Sequence, residues 1–269
     1  MLSIYKDKSA RLLILITAFF VSNALIAECL GTKIFSLEKL FGATPANISL
    51  FGQSGLAYNL TCGVLLWPLE FIITDIVNEY YGIRAVKRIS YIAAGLIGYA
   101  FLMFYISILL PAADFWISSK QNNGVSNMQT AYSAIFGQGM WIILGSLAAF
   151  LFSQLVDVMV FHRIKKWTGP KHVWLRATGS TLISQLVDSF IVLSIAFKLG
   201  SNWTWAQVIA VGILNYSYKS ATAIILTPLI YFTEGRIDSY LGKDVAAQMK
   251  REAMNKNGTL VLQDIPAAG

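Results

Sequence analysis

The sequence predicts an all-α polytopic membrane protein, a bundle of six transmembrane helices with both termini in the cytoplasm. The chain has 269 residues, of which 56% are hydrophobic and only 13% are charged, and its mean hydropathy is +0.59. Soluble domains carry about 25% charged residues, so this chain has too little charge to cover a water-exposed surface. The composition therefore excludes a soluble globular enzyme, a disordered protein and a fibrous repeat.

Six stretches are long and apolar enough to cross a bilayer, which takes about 20 mostly apolar residues. In chain order they are 12–30, 56–80, 89–110, 134–161, 177–199 and 206–232. The first follows a basic segment but has no small-residue cleavage site, so we expect it to be retained as a span. The chain then divides into a transmembrane domain over 1–233 and a cytoplasmic tail over 234–269, whose end we expect to be disordered.

Lysine and arginine residues alternate along the chain between crowded and sparse connections. Sixteen of the 21 fall in the N-terminus, the second and fourth connections and the tail, and four fall in the other three connections. Because basic residues are retained on the cytoplasmic side, this count predicts that both termini are cytoplasmic. The net charge of +7 is thus explained by orientation in a cell membrane and not by binding to nucleic acid.

The fourth and fifth stretches both contain the residues Ser-Gln-Leu-Val-Asp, at 153–157 and 184–188. Residues three apart share a helix face, and the short basic connection makes the two stretches antiparallel neighbours. We therefore expect the Gln154 and Asp157 pair and the Gln185 and Asp188 pair to face a shared cavity. The alternative is that these side chains only join the two helices by hydrogen bonds.

The second stretch combines a proline with three acids, Glu70, Asp75 and Glu79. Trp67-Pro68 is predicted to interrupt the helix near its middle, because proline removes a hydrogen-bond donor and clashes with the preceding turn. Glu70 follows directly, and Asp75 lies further along the same stretch. A broken helix beside an acid is how many transporters form a binding site at the midplane. The alternative is a proline kink that binds nothing.

The sixth stretch contains Asn215 and Lys219, four residues apart. A charge at the bilayer centre costs about 2.5–3.5 kcal/mol even on the lenient insertion scale, so Lys219 needs a carboxylate partner. Asp188, Asp157 and Glu70 are the candidates. With Asp75 these acids outnumber the lysine, and the excess predicts a cationic or donor-rich substrate, proton coupling, or both.

A set of short motifs extends from about residue 57 to 231. They are Thr61-x-Gly63, Trp67-Pro68, Thr74-Asp75, Glu79-x-x-Gly82, Gln154-x-x-Asp157-x-x-x-Phe161, Trp174-Leu175-Arg176-x-x-x-Ser180-Thr181, Gln185-x-x-Asp188, Ala196-Phe197 and Tyr218-Lys219. The pattern resembles that of the queuosine precursor transporters, also called the vitamin-uptake-transporter-like family. The resemblance implies six spans, a bacterial inner-membrane location and import of the 7-cyano and 7-aminomethyl forms of 7-deazaguanine, which are precursors of the tRNA base queuosine.

The sequence departs from this family pattern at two places. Trp67 stands where the family usually has phenylalanine. The first stretch, with Asn23, Glu28 and Lys33, matches more loosely, and we assign no binding role to it.

The chemistry of a deazaguanine suits the polar residues of these stretches. Its ring N–H and amino donors can bind a carboxylate in bidentate fashion, and its carbonyl needs a donor. We predict that Asp188 and Gln185 bind the base edge, that Gln154 and Asp157 form a second pair, and that Lys219 balances charge or donates to the carbonyl. The predicted substrate-binding residues are Trp67, Glu70, Phe71, Asp75, Gln154, Asp157, Gln185, Asp188, Asn215 and Lys219. In this set Glu70 and Asp75 complete the site or carry a proton, and Trp67 and Phe71 stack on the flat ring.

Several alternatives remain open at this point. The chain contains no GxxxxGK[ST] motif and so has no P-loop of its own, but it could be the substrate-binding subunit of an importer with a separate ATPase. A channel or a non-transporting scaffold is an alternative of another class. An intramembrane enzyme is not expected, because the two histidines, His162 and His172, fall in a basic connection. We predict no metal and no cofactor; the expected partners are the substrate and the lipid bilayer, with homo-oligomerisation left open.

Overall fold

The computed structural model describes residues 7–168 and 172–254. In chain order its elements are α1 (Lys8–Leu30), β1 (Ile34–Ser36), α2 (Leu37–Leu40), β2 (Ile48–Leu50), β3 (Gln53–Leu56), β4 (Asn59–Thr61), a 3-10 turn (Cys62–Leu65), α3 (Trp67–Leu109), α4 (Asp114–Ile117), a second 3-10 turn (Gln121–Asn123), α5 (Met128–Phe136), α6 (Met140–Thr168), α7 (Val173–Leu193), a π-helical turn (Ser194–Leu199), α8 (Trp205–Leu241) and α9 (Lys243–Met254). The described residues include five helical stretches long and apolar enough to cross a membrane, on α1, on α3, on α5 with α6, on α7 with the π-helical turn, and on α8. The predicted all-helical, multi-pass class is therefore confirmed.

The second predicted span begins later than the composition indicated. Residues 59–65 form β4 and a 3-10 turn, and α3 begins only at Trp67. Pro68 stands in the first turn of α3, where its missing N–H removes no bond because the first N–H groups of a helix have no partner within it. The prediction that Trp67-Pro68 interrupts a helix in mid-span was therefore wrong. The proline starts a helix instead of bending one.

Helix α3 contains both the second and the third predicted spans and is interrupted at Gly82. This residue has φ 75° and ψ 179° inside a 43-residue helix, a conformation that is essentially restricted to glycine. A straight helix of that length would measure roughly 65 Å, about twice the hydrocarbon thickness of a bilayer. Six separate spans were predicted, and the described part of the chain has five continuous helical stretches that could cross a membrane. One of these five is interrupted at Gly82.

The two halves of α3 run in opposite directions along α1. Just before α3, the backbone carbonyl of Leu66 accepts a hydrogen bond from Asn23 in the second half of α1 (3.1 Å). In the middle of α3, the hydroxyl of Tyr81 donates to a carbonyl in the first turn of α1 (2.8 Å). At the far end, Ile108 packs against a turn from which Gln138 donates to a carbonyl in the last turn of α1 (3.3 Å). Both ends of α3 therefore lie near the same end of α1.

Small residues allow close contacts between α6, α7 and α8. A Cβ added to Gly145 of α6 would lie 3.2 Å from the backbone of Val192 and 3.2 Å from that of Ala196 in the next helical stretch, and one added to Gly212 of α8 would lie 2.8 Å from the ring of Phe190. In lipid there is little hydrophobic driving force between helices, so van der Waals packing at close approach holds them together. These glycines set the spacing of α6, α7 and α8.

The C-terminal helix α9 packs back on the interruption in α3. Ala253 lies 3.4–3.7 Å from the position that a Cβ on Gly82 would occupy, and Lys250 bonds both Glu234 (2.6 Å) and Asp238 (3.0 Å) of α8. Burial opposes the charge on Lys250, but the hydrogen bonds and charges of the two acids raise its pKa. Helix α8 continues through residue 233 to Leu241. The boundary at 233 between a transmembrane domain and a cytoplasmic tail stays a prediction. The predicted disorder of the end concerns residues 255–269, outside the described residues.

The described ends of the chain lie on the same face of the bundle. Lys8, at the start of α1, donates to the backbone carbonyl of Tyr240 at the end of α8 (3.2 Å). At the other end, the connection from α1 to α3 forms two antiparallel strand pairs, β1 with β4 and β2 with β3. Strand β4 thereby lies over that end of the bundle, beside the last turn of α1.

Candidate functional site

A cavity that we call the main cavity, because it is the larger of two compared in the described part of the chain, lies between the end of α1, strand β4 and helices α6, α7 and α8. Its volume is about 200 Å³, which is below the range of about 300–1,000 Å³ that is typical of pockets for drug-sized ligands. Trp67 at the start of α3 also lines it, and the other lining residues include Glu28, Asp188, Asn215 and Lys219. A space of this size with charged walls suits one small, flat, polar molecule.

An ion pair forms one wall of the cavity. The Lys219 ammonium of α8 donates to a carboxylate oxygen of Asp188 on α7, and the two side chains keep 19% and 22% of their surface exposed. Both groups line the cavity, so each can still form hydrogen bonds to a molecule bound there. Of the three acids considered as partners for Lys219, the structure selects Asp188, which the packing of α7 against α8 brings beside it.

A second acid lines the same cavity at the end of α1. The hydroxyl of Ser146 on α6 donates to Glu28 Oε1 (2.6 Å), and Gln138 donates from its side-chain amide to the Glu28 backbone carbonyl (3.3 Å). No binding role was predicted from the sequence for Glu28, Ser146 or Gln138. An acid inside a predicted span is a sign of a functional residue, and Glu28 is such an acid. It lies close to the end of that span, where a charge is less costly than at the centre.

Aromatic side chains complete the lining. Trp67 and Phe150 both line the cavity, with their ring centroids 5.9 Å apart and their planes tilted by 43°. Phe197 lines it from the π-helical turn, and its other side stacks on Trp203 at 4.5 Å. Such turns recur at functional sites because they displace one side chain from the regular helical register. The rings offer flat apolar surface beside the charged groups.

Three of the predicted binding residues line a separate, much smaller void. Phe71, Asp75 and Gln185 surround a space of about 20 Å³ together with Thr178 and Thr181. That space is about the size of one water molecule. It lies between α3, α7 and α8, on the far side of Asp188 from β4.

Three further predicted residues are buried in contacts between helices. Glu70 accepts a hydrogen bond from Asn23 (2.8 Å). Gln154 accepts one from Thr74 (3.0 Å), and Asp157 accepts one from Ser184 (3.1 Å). The structure therefore does not bring the two Gln–Asp pairs to one shared cavity: Asp188 lines the main cavity, Gln185 lines the small void, and Gln154 and Asp157 lie in the interior.

The buried acids are incompletely satisfied. One oxygen each of Glu70, Asp75 and Asp157 has no hydrogen-bond partner among the described residues, although the three residues are at most 2% exposed. An ionised carboxylate without partners is costly in the interior. These carboxyl groups are therefore suited to bind a proton or another cation rather than to stay ionised without a partner.

A buried ion cluster closes the end of the bundle opposite β4. The guanidinium of Arg176 bonds both oxygens of Glu79 (3.1 and 2.8 Å), and the Lys165 ammonium lies 2.9 Å from the same carboxylate. The side chains are 1–5% exposed. The cluster joins α3, α6 and α7 next to Gly82. Glu79 and the Trp-Leu-Arg motif are far apart in the sequence, and nothing in the sequence indicated that they meet.

Four of the ten predicted binding residues thus line the main cavity: Trp67, Asp188, Asn215 and Lys219. No group of three or more His, Cys, Asp and Glu side chains in the described ranges is arranged to hold a metal ion. The cavity offers two carboxylates, an ammonium, side-chain amides and aromatic rings, which can bind a flat heterocycle by its edge and its faces.

Comparison with known proteins places this architecture in a family. Residues 61–233 match a family model described as "Putative vitamin uptake transporter". The chain is similar to the "Probable queuosine precursor transporter" of Bacillus subtilis (strain 168), with 32% identity over 215 residues that cover 79% of this chain and 81% of the relative. It is also similar to the protein of the same name from Haemophilus influenzae, at 25% identity with 83% and 86% covered, and to the "Queuosine precursor transporter" of Escherichia coli (strain K12), at 26% identity with 63% and 70% covered. No solved structure matches the chain.

Proposed function

The chain belongs to the queuosine precursor transporter family, and on this premise we propose that it imports 7-cyano- and 7-aminomethyl-7-deazaguanine by alternating access. The family membership rests on the match over residues 61–233 and on a relative that is 32% identical over four-fifths of its own length. The family transports small molecules through a membrane and is not a family of enzymes. The substrates and the mechanism named here are our proposal.

The observation that carries the proposal is the Lys219–Asp188 pair in the cavity wall. A deazaguanine carries a carbonyl acceptor beside a ring N–H and an amino group on its pyrimidine edge. An ammonium held beside a carboxylate presents a donor next to two acceptor oxygens, which is the complementary pattern. Charge-assisted hydrogen bonds of this kind are roughly twice as strong as neutral ones. The ion pair also keeps both charges in place when the cavity is empty.

The remaining lining fits the rest of such a base. Trp67, Phe150 and Phe197 supply aromatic surface for a bicyclic ring, and Asn215 adds an amide that can donate or accept. The cavity volume of about 200 Å³ suits one base and leaves no space for an attached sugar and phosphate. A free base is therefore a better fit than a nucleotide.

We propose six crossings of the bacterial inner membrane with both termini in the cytoplasm. The reversal of α3 at Gly82 supports two crossings on that helix. The crowding of basic residues near Gly82, near the α6–α7 connection and at both ends of the chain supports a cytoplasmic location for that side. Strand β4 and the mouth of the cavity then face the outside.

Alternating access is supported by the difference between the two ends of the bundle. The cavity lies on the β4 side, and the Glu79 cluster joins α3, α6 and α7 on the other side. Opening toward the cytoplasm would separate these helices and expose the interior acids. In that state we propose that Gln154, Asp157 and Gln185 bind the leaving base, and that Glu70 and Asp75 bind a proton or complete the site.

The test is uptake in cells that cannot synthesise queuosine, with queuosine in tRNA as the readout. Asp188→Asn and Lys219→Ala should abolish the rescue that the parent chain provides from either precursor. Lys198→Ala is the matched control, because Lys198 lies over the ring of Trp205 and does not line the cavity. Rescue by both cavity variants at parental expression levels would refute the proposed site.

A second measurement separates the proposal from an importer subunit with a borrowed ATPase. The purified chain is reconstituted alone in liposomes, and uptake of labelled precursor is followed without ATP. Saturable, precursor-specific uptake would agree with the proposal. Uptake only when an ATPase is added would favour the subunit, and unsaturable flux of unrelated solutes would favour a channel.

A further inference from the structure

The charges that line the cavity do not balance. Three lining residues have side chains that can carry a full charge, namely Glu28, Asp188 and Lys219. Lys219 and Asp188 neutralise each other. Among the described residues no ammonium or guanidinium group pairs with Glu28. An occupant that brings one positive charge would complete the cavity.

The surroundings of Glu28 match the needs of a primary ammonium group. An ammonium has three donors and no acceptor. Glu28 offers its carboxylate, and Ser146 keeps its lone pairs as acceptors because its hydroxyl hydrogen is donated to Glu28 Oε1 (2.6 Å). Gln138 uses its amide nitrogen on the Glu28 backbone carbonyl (3.3 Å), which leaves its side-chain oxygen as a third acceptor on the same wall of the cavity.

Accordingly, we propose that Glu28, Ser146 and Gln138 form an ammonium subsite that makes the transporter select the cationic 7-aminomethyl precursor over the neutral 7-cyano precursor. This inference rests on the proposed function, since it assumes that the pyrimidine edge of the base binds Asp188 and Lys219. The substituent on the five-membered ring then points away from that pair, toward the end of α1. The aminomethyl group donates to all three oxygens, whereas a nitrile offers only an acceptor beside the Glu28 carboxylate.

The selectivity follows from the cost of leaving Glu28 unpaired. Hydrogen bonds to a charged group correspond to a preference of about tenfold to a hundredfold. The cyano form leaves the carboxylate with Ser146 as its side-chain partner, as in the empty cavity, and places its own partial negative charge beside it. The preference therefore comes both from an attractive contact with one ligand and from repulsion of the other.

The experiment is calorimetric titration of the purified full-length protein in lipid nanodiscs with each of the two precursors. The parent should bind the aminomethyl form at least about tenfold more tightly than the cyano form. Glu28→Gln should bring the ratio of the two affinities close to one, and Ser146→Ala should lower the ratio by a smaller factor. Glu38→Gln is the matched control, since Glu38 lies in the connection after α1 and does not line the cavity, and it should keep the parental ratio.

The possible failures are distinguishable. Equal affinity of the folded parent for the two precursors would overturn the subsite and leave the proposed function standing. A Glu28→Gln variant that loses both affinities in the same proportion would also overturn it, because Glu28 would then act on the base or on the fold. Absence of binding of either precursor to the folded parent would overturn the proposed function itself. If Glu28→Gln does not fold, the parental ratio and the Ser146→Ala variant still decide.

Discussion

The buried Glu79 cluster allows a quantitative prediction for Glu79→Gln. The change removes the negative charge but keeps the shape, and it leaves Arg176 and Lys165, which are 1% and 2% exposed, without that counter-charge. Removing one partner of a buried ion pair typically costs about 3–5 kcal/mol. A change of 1 kcal/mol shifts the melting temperature by about 2–4 °C in chains of 150–250 residues, so the expected fall is roughly 6–20 °C.

The assay is thermal unfolding followed by tryptophan fluorescence, in one detergent and at one scan rate. Glu234→Gln provides the matched control, because Glu234 also binds a lysine, Lys250, but at a pair whose side chains are 13–20% exposed. This pair is less buried than the Glu79 cluster, and Lys250 keeps Asp238 as a partner, so the control should lower the melting temperature by less than Glu79→Gln does. Adding Lys165→Met to Glu79→Gln should recover part of the loss, because it removes a buried cation. A fall below about 2 °C for Glu79→Gln, or equal falls for the two glutamate variants, would refute the reasoning.

Three smaller predictions follow from the backbone and the first connection. Gly82→Ala should destabilise the protein by about 1–3 kcal/mol, because φ is 75° there, while Gly98→Ala, which has open space around it, should not lower the melting temperature; equal effects would contradict the strained conformation. Gly63→Ala places a Cβ 2.8 Å from a backbone oxygen of α1, so it should lower both the melting temperature and precursor affinity, and unchanged affinity would show that α1 does not shape the cavity. The backbone N–H of Tyr58 is the main cause that lowers the pKa of Glu38. Because its pKa is lowered in the fold, ionised Glu38 stabilises the protein at pH values above the unfolded pKa of about 4.3, and this stabilisation is lost as the pH falls through the folded pKa. The difference in melting temperature between the parent and Glu38→Gln should therefore be present at pH 7 and shrink below pH ~4. A difference that is independent of pH would contradict this.

The pairing of Lys219 illustrates how far residue spacing reaches. The depth of Lys219 in an apolar stretch was enough to require a carboxylate partner, because an unpaired ammonium is costly in lipid. Three acids satisfied that requirement equally well along the chain. Only the packing of α7 against α8 selected Asp188. The need for a partner is a property of one residue, while the identity of the partner depends on two.

The repeated Ser-Gln-Leu-Val-Asp segment shows the limit of helix-face arguments. The two residues of each Gln–Asp pair are three apart on their own helix, but α6 and α7 are antiparallel, so the two repeats lie side by side with their aspartates at opposite ends. Asp157 therefore meets Ser184 rather than the cavity that Asp188 lines. Periodicity indicates which direction a side chain points and leaves open what it meets at that depth.

The start of α3 could not be read from hydropathy. Residues 56–66 are apolar and polar in proportions that a transmembrane helix would also have, and nothing local distinguishes strand β4 and a 3-10 turn from a first helical turn. Strand β4 forms because it pairs with β1, from Ile34 to Ser36, some 25 residues earlier in the chain. Pro68 therefore lies at the start of a helix and does not interrupt one, since a proline interrupts a helix only when helical turns precede it.

The amino-acid sequence on its own determined that this chain is a membrane protein, that it is helical, and that a few ionisable groups lie within its membrane-spanning stretches. Those conclusions follow from composition and local spacing, because lipid penalises each exposed polar group independently of the rest of the fold. The tertiary structure alone decided which of these groups share a cavity. It brought Glu28 from the end of α1 to the cavity that Asp188 and Lys219 line and buried Glu79 between two cations, because contacts between distant helices depend on their relative depth and rotation, which no single segment encodes.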